Sequence, residues 1–309
     1  MFDTERPEYS GLFPCHRYKA MNRTLSLLAA IGLSVMLSGC GQLISNAKQA
    51  FAEDLSAAIL QHDEPETVRQ ALPSYLVLVD SMVRGDDRNV ALLLSASNLY
   101  SSYVGVFVED AERKKRLSER AFLYAHRALC LRAGQDNVTA CNLHKESYAT
   151  FERSLQKFTT EDVELLFTLG AAWAGKVQAN SADWNAVAEL PKVRAVIERV
   201  LVLDEHYSNG DVHLYMGVME SLLPPAMGGK PDVARAHFEK ALEISSRSNS
   251  MALLFYAEKY ARLVFDRELH DELLGELLAL DPADTQSKLI DAIAKAKANE
   301  LLAGADEYF

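Results

Sequence analysis

The chain has 309 residues, of which 49% are hydrophobic and 24% charged, a balance that suits a folded core of one large or two smaller domains. Its 43 acidic residues exceed its 32 basic ones, for a formal net charge of -11, so no general basic field exists to attract phosphate backbones, and nucleic-acid binding is excluded as a main role. The one compact basic run, Arg113-Lys114-Lys115-Arg116 with Arg120 a turn further on, is flanked by Glu109, Asp110, Glu112 and Glu119 and is read as a solvated helix face.

Residues 1–20 carry Asp3, Glu5, Glu8 and Pro14 and do not match the segment that follows; Met21-Asn22-Arg23 would make a conventional start, so 1–20 is read as an upstream extension. Arg23 then precedes an apolar run from Leu25 to Leu37 that ends in Leu37-Ser38-Gly39-Cys40. A short positive region, an apolar stretch too short to span stably and small residues before a cut site describe an export signal over 21–39. The ending resembles a bacterial lipobox, in which Cys40 would be acylated and become the first mature residue. Gly41 and Gln42 follow it, and by resemblance to the sorting rule of Gram-negative lipoproteins they favour the periplasmic side of the outer membrane. Residues 40–45 would be a tether, with membrane contact through the lipid anchor only.

From Ser45 onward nearly every segment reads as helix. A helical cap is expected over 46–110, a repeat region over 111–300 and a short tail over 301–309. Within the cap, Glu66 to Val83 is amphipathic, and Pro73 should kink it or mark its real first turn. Asn89 to Glu109 is strongly apolar, with Leu92, Leu93, Ala96, Leu99, Tyr100, Tyr103 and Phe107 at helical spacing, for which core packing is the default explanation.

A pattern then recurs four times. Ala121-x3-Ala125-x2-Ala128, Val193-x3-Ile197-x2-Val200, Ala234-x3-Phe238-x2-Ala241 and His270-x3-Leu274-x2-Leu277 each precede a short apolar end and a stop. This matches the second half of a tetratricopeptide repeat, and the fold class is read as all-α, a TPR-like α-solenoid behind a helical cap. Gly170 and Gly217 suit the close-approach position of first helices, and Thr159 with Asp162 makes a capping box. Spacings longer than a standard repeat imply two insertions, one around Asn180 to Ala188, which includes Asp183-Trp184, and one holding Leu222-Leu223-Pro224-Pro225-Ala226-Met227-Gly228-Gly229. These insertions are the first candidates for a functional surface.

No phosphate loop, His-Glu-x2-His or Gly-x-Ser-x-Gly elbow occurs, and the acid pairs Glu53-Asp54, Asp86-Asp87 and Glu161-Asp162 fit caps better than catalysis. The chain is read as no enzyme, with no cofactor. His126-x3-Cys130 and Cys141-x2-His144 are a candidate metal set, because two thiolates and two imidazoles can close a tetrahedral zinc site. In an oxidising exterior a Cys130–Cys141 disulfide is the rival reading, and two unlinked cysteines a third.

The lipobox, the cap with Leu99-Tyr100-Ser101-Ser102-Tyr103-Val104-Gly105, and His213-Leu214-Tyr215-Met216-Gly217 before Gly228-Gly229-Lys230-Pro231-Asp232-x-Ala234-x3-Phe238-x2-Ala241-Leu242 together resemble the T component associated with TRAP transporters. The resemblance covers about residues 40 to 300. It implies a homotrimeric lipoprotein with a hydrophobic pore through each subunit, which faces a periplasmic substrate-binding P subunit and helps pass a small, apolar organic ligand between them. Carried onto this chain, Tyr100, Tyr103, Phe107, Trp173, Leu223, Pro224 and Met227 would line or gate that path. The competing class is a non-enzymatic scaffold that holds a peptide or protein of the cell envelope.

Overall fold

The computed structural model describes residue 54 and residues 57–309, apart from 135–140, 223, 224, 228, 282, 284 and 286 and the side chain of 227. Cys40, Leu223 and Pro224 therefore lie outside the described residues, as do the export signal and the tether. Helices account for the regular structure, with no strand among the described residues. They are α1 (Pro65–Gly85), α2 (Val90–Phe107), α3 (Ala111–Arg132), α4 (Tyr148–Leu155), α5 (Val163–Ala179), α6 (Trp184–Val187), α7 (Leu190–Leu203), α8 (Asp211–Glu220), α9 (Pro231–Ile244), α10 (Ser250–Phe255), a π-helical turn (Tyr256–Ala261), α11 (Arg267–Ala279), α12 (Lys288–Ala303) and α13 (Ala305–Tyr308).

Local chemistry sets the boundaries. Asn89, Asp110, Ser147, Asn249, Asp266 and Ser287 each accept a backbone N–H of the helix they precede, which satisfies one of its orphan donors. Thr159 and Asp162 do form the reciprocal capping box, and the Asp162 carboxylate also accepts from Arg132 Nε at 2.5 Å. α1 begins at Pro65, in the first turn where a missing N–H costs nothing, and Pro73 lies inside the helix rather than at its first turn.

α2 is 18 residues long with mean hydropathy 1.4, long and apolar enough to cross a membrane. It packs instead against α1, α3 and α5, and Leu92, Leu93, Leu94, Ala96, Ser97, Tyr100, Tyr103 and Val104 are buried. A helix with apolar residues on most of its circumference must be enclosed by neighbours, and α2 is the central helix of this half.

All twelve positions of the four recurring patterns are buried, from Ala121, Ala125 and Ala128 on α3 to His270, Leu274 and Leu277 on α11. Two helix pairs share one contact. A methyl group on Gly170 of α5 would overlap Ile197 Cδ1 of α7, and one on Gly217 of α8 would meet the Phe238 ring of α9 at 3.0 Å. In both pairs a glycine lets the large middle residue of the next pattern seat against bare backbone. The turn before α8 reaches Gly210 at φ 88°, where an added Cβ would also lie 2.9 Å from Ala241 O, so only glycine fits.

The buried side chains form two cores. One runs from Val68 to Met216 and the other from Leu214 to Leu301. α12 joins them: Leu289 belongs to the first, where the helix meets α1, while Ala294, Ala298 and Leu301 belong to the second, against α10 and α11. Ser287 Oγ, at the start of α12, donates to Leu60 O at 2.8 Å, so residues 227 positions apart are in contact.

Candidate functional site

The aromatic residues of the expected ligand path fall into two sets of contacts. In the first, the Asp80 carboxylate of α1 accepts from Tyr100 OH at 3.0 Å, Tyr124 OH at 2.6 Å and Arg120 at 2.5 Å. Arg113 donates to Tyr103 OH at 2.9 Å, and Tyr103 packs its ring 6.2 Å from half-buried Phe107. Burial, with the Asp80 charge beside them, pushes both the Tyr100 and Tyr124 hydroxyls up. These phenols stay protonated and donate, which ties α1, α2 and α3 together. The basic run is thus partly engaged: Arg113 and Arg120 cap buried tyrosines, and Lys115 pairs with Glu112.

The second set surrounds Trp173, which is fully buried on α5. Its ring lies 5.2 Å from Phe122 and 5.6 Å from Phe151, and its Nε1–H donates to Glu189 at 2.6 Å. Lys176 bridges Glu189 and Glu119 while its ammonium sits 4.5 Å from the Phe122 ring centre. Next to this cluster the structure brings together all four residues of the candidate metal set. Cys130 and Cys141 are at bonding distance, with their Cα atoms 6.1 Å apart. His126 lies one turn before Cys130, 3.7 Å from its sulfur, and its Nε2 is 2.9 Å from His144 Nδ1. Burial, reinforced by Lys176 and Lys145, lowers both imidazoles to about 4.

A second histidine pair, outside the candidate site residues named from sequence, joins α8 to α9. His213 Nδ1 lies 3.0 Å from His237 Nδ1, and Glu205 is 3.8 Å from His213 Nε2. Glu220, buried at the end of α8, pairs with Arg194 of α7. Burial and its neighbour His237 lower His213 to about 4; burial also lowers His237. A lone histidine gives no period or spacing to read, so only the packing of α8 on α9 reveals the pair.

The two stretches read as insertions separate longer helices. α5 stops at Ala179 before α6, and α8 stops at Glu220 before a single turn, Pro225–Met227, and α9. Each presents an apolar residue to solvent: Trp184 is 84% exposed and Leu222 52%. Near residue 300 a cleft of about 380 Å³ is lined by Arg262, His270, Glu300, Tyr308 and Phe309 among others, beside the π-helical turn that ends at Ala261. The Arg262 guanidinium lies 3.6 Å from the Tyr308 ring centre. The lining residues come from several elements between 262 and 309 that only packing joins, so the cleft was not legible in the sequence.

Among the described residues the chain is built of packed helices with no strand. Residues 61–309 match the family described as TRAP transporter T-component, and the chain belongs to that family. It is a transporter-associated component and not an enzyme. The chain is also similar to an uncharacterized protein of Treponema pallidum (strain Nichols), 22% identical over 271 residues that cover 83% of this chain and 84% of the relative.

Proposed function

We propose that the chain is a lipid-anchored, periplasm-facing component that binds a small, apolar or carboxylated organic ligand and hands it to or from a substrate-binding P subunit. Family membership over 61–309 carries this reading. The Leu-Ser-Gly-Cys ending at Cys40 supports the anchor. The shared glycine contact of α5 with α7 and of α8 with α9 supports modified TPR-like repeats, because the same small-to-large fit recurs at the same pattern position.

In this reading Trp173 and Tyr100, held by Glu189 and Asp80, are fixed walls of the path, since their polar atoms already have partners. Tyr103 and Phe107 continue the wall, and the segment of Leu223, Pro224 and Met227 is the gate. Trp184 and Leu222 belong to the docking face for the P subunit. Exposed tryptophan is costly to keep in water and is enriched at interface centres, which suits that role. The working assembly is a homotrimer.

Native mass spectrometry of the acyl-free domain purified from periplasm tests this. A trimer that carries a small apolar or carboxylated metabolite is expected, and Trp184→Ala should weaken P-subunit binding by about 5- to 30-fold, the cost of a moderate hot spot. A ligand-free monomer that instead captures an envelope peptide would overturn ligand transfer in favour of a scaffold.

A further inference from the structure

We propose that His126, Cys130, Cys141 and His144 form a zinc-class metal site whenever the Cys130–Cys141 bond is reduced, so that one cluster alternates between a covalent and a metal cross-link. The case is geometric. Two thiolates and two imidazoles are the donor set of closed structural zinc sites. Zinc–sulfur bonds of about 2.3 Å and zinc–nitrogen bonds of about 2.0 Å put tetrahedral ligand atoms roughly 3.3–3.8 Å apart. The structure places His126 Nε2 at 2.9 Å from His144 Nδ1 and 3.8 Å from Cys130 Sγ. The donor atoms of His126, Cys130 and Cys141 all lie within 4.8 Å of one another, in buried positions.

The sulfur–sulfur edge must lengthen, which is the bond reduction opens; the imidazole edge must lengthen from 2.9 Å by about 0.4 Å, and His144 must turn toward the sulfurs to complete the set. The cysteines arrive from two directions, Cys130 from the last turn of α3 and Cys141 just before the turn Leu143–Lys145 that carries His144. Lys192 holds that turn from α7 through His144 O at 2.8 Å and Glu146 O at 2.5 Å. His144 therefore stays beside His126 without help from the disulfide.

The chemistry balances. An external dithiol supplies two electrons and two protons and becomes a disulfide, while Cys130 and Cys141 become two thiols. Metal binding then releases those two protons as the thiolates coordinate. The proton between the imidazoles belongs to the ring that donates it and moves to that ring's outer nitrogen, the other ring already carrying its proton outside, so that His126 Nε2 and His144 Nδ1 both turn lone pairs to the ion. Two thiolates cancel the charge of a divalent cation, so the nearby Lys176 ammonium faces a neutral centre.

The test uses the full chain, reduced with a phosphine, desalted without oxygen and titrated with cobalt(II). The expected result is one cobalt per chain, with tetrahedral visible bands and thiolate-to-cobalt charge transfer that zinc abolishes by displacement; the oxidised chain should show neither. His144→Ala, at a half-buried position that tolerates truncation, should weaken cobalt binding by at least the roughly 10- to 100-fold that supporting residues alone contribute at metal sites. Circular dichroism runs in parallel, and if reduction costs helix content, zinc should restore it. Absence of charge transfer in the reduced chain, failure of zinc to restore helix that reduction has cost, or equal affinity in His144→Ala would each overturn the proposal.

Discussion

The molecule contains two histidine pairs of nearly equal separation, 2.9 Å for His126 with His144 and 3.0 Å for His213 with His237, and they sit in different chemistry. The first lies against sulfur and aromatic rings, with lysines as its nearest charges. The second lies between helices with Glu205, His206, Lys240, Glu220, Arg194 and Glu198 around it. Both pairs are held below the ordinary imidazole range, so both respond to acid; what separates them is that the first adjoins the Cys130–Cys141 cross-link and the second is a seam between α8 and α9 with carboxylates beside it.

Opening the cross-link should give the largest effect. The disulfide closes a span of 11 residues, and Cys130→Ala with Cys141→Ala in metal-free buffer should cost about 3 kcal/mol on the loop-entropy account. Thermal melts should show the midpoint falling by roughly 6–12 °C for a domain this size. An unchanged midpoint would mean that Lys192 and the Trp173 cluster alone hold that corner.

Acid should act next, at both pairs, and the second isolates the effect because no cross-link adjoins it. His213 is held at about 4 in the fold against 6.5 when free, so the unfolded chain binds more protons between those values. Its contribution is complete above pH 6.5, falls as pH drops through that window and is gone below about 4. Denaturant unfolding at pH 7 and pH 4.5 should show the loss, and His213→Gln should remove on the order of 1–3 kcal/mol of the difference. A pH slope unaltered by the substitution would assign the window elsewhere.

Trp173→Phe sharpens the comparison from the first pair's side. It keeps most of the ring and deletes the Nε1–H that Glu189 accepts, leaving a carboxylate with Lys176 as its remaining partner. About 1–2 kcal/mol should be lost in urea unfolding. Trp184→Ala should change stability by no more than about 0.5 kcal/mol, since that ring is in solvent, so any effect on P-subunit binding would be a surface effect.

Periodicity made the helices legible, and small-to-large spacing made the close approaches at Gly170 and Gly217 legible, because both are repeated signals along one chain segment. The capping box of Thr159 with Asp162 was equally local. Asp80 was not legible as the acceptor for Tyr100, Tyr124 and Arg120, because those partners lie 20 to 44 residues away and only helix packing joins them. The second histidine pair and the cleft beside Tyr308 escaped for the same reason. Of the expected path residues, Trp173 and the tyrosines were legible as buried aromatics, but the protein partners that saturate their polar atoms were not.

The bridging helix α12 has a consequence for the order of events. Its Leu289 completes a core whose other members begin at Val68, so the first core lacks a wall until a segment more than 200 positions later has arrived. Contacts of such long separation form late, after the local helix pairs have condensed. The region made first is therefore expected to be among the last completed, and removing the segment from Lys288 onward would take Leu289 from the first core and Ala294, Ala298 and Leu301 from the second.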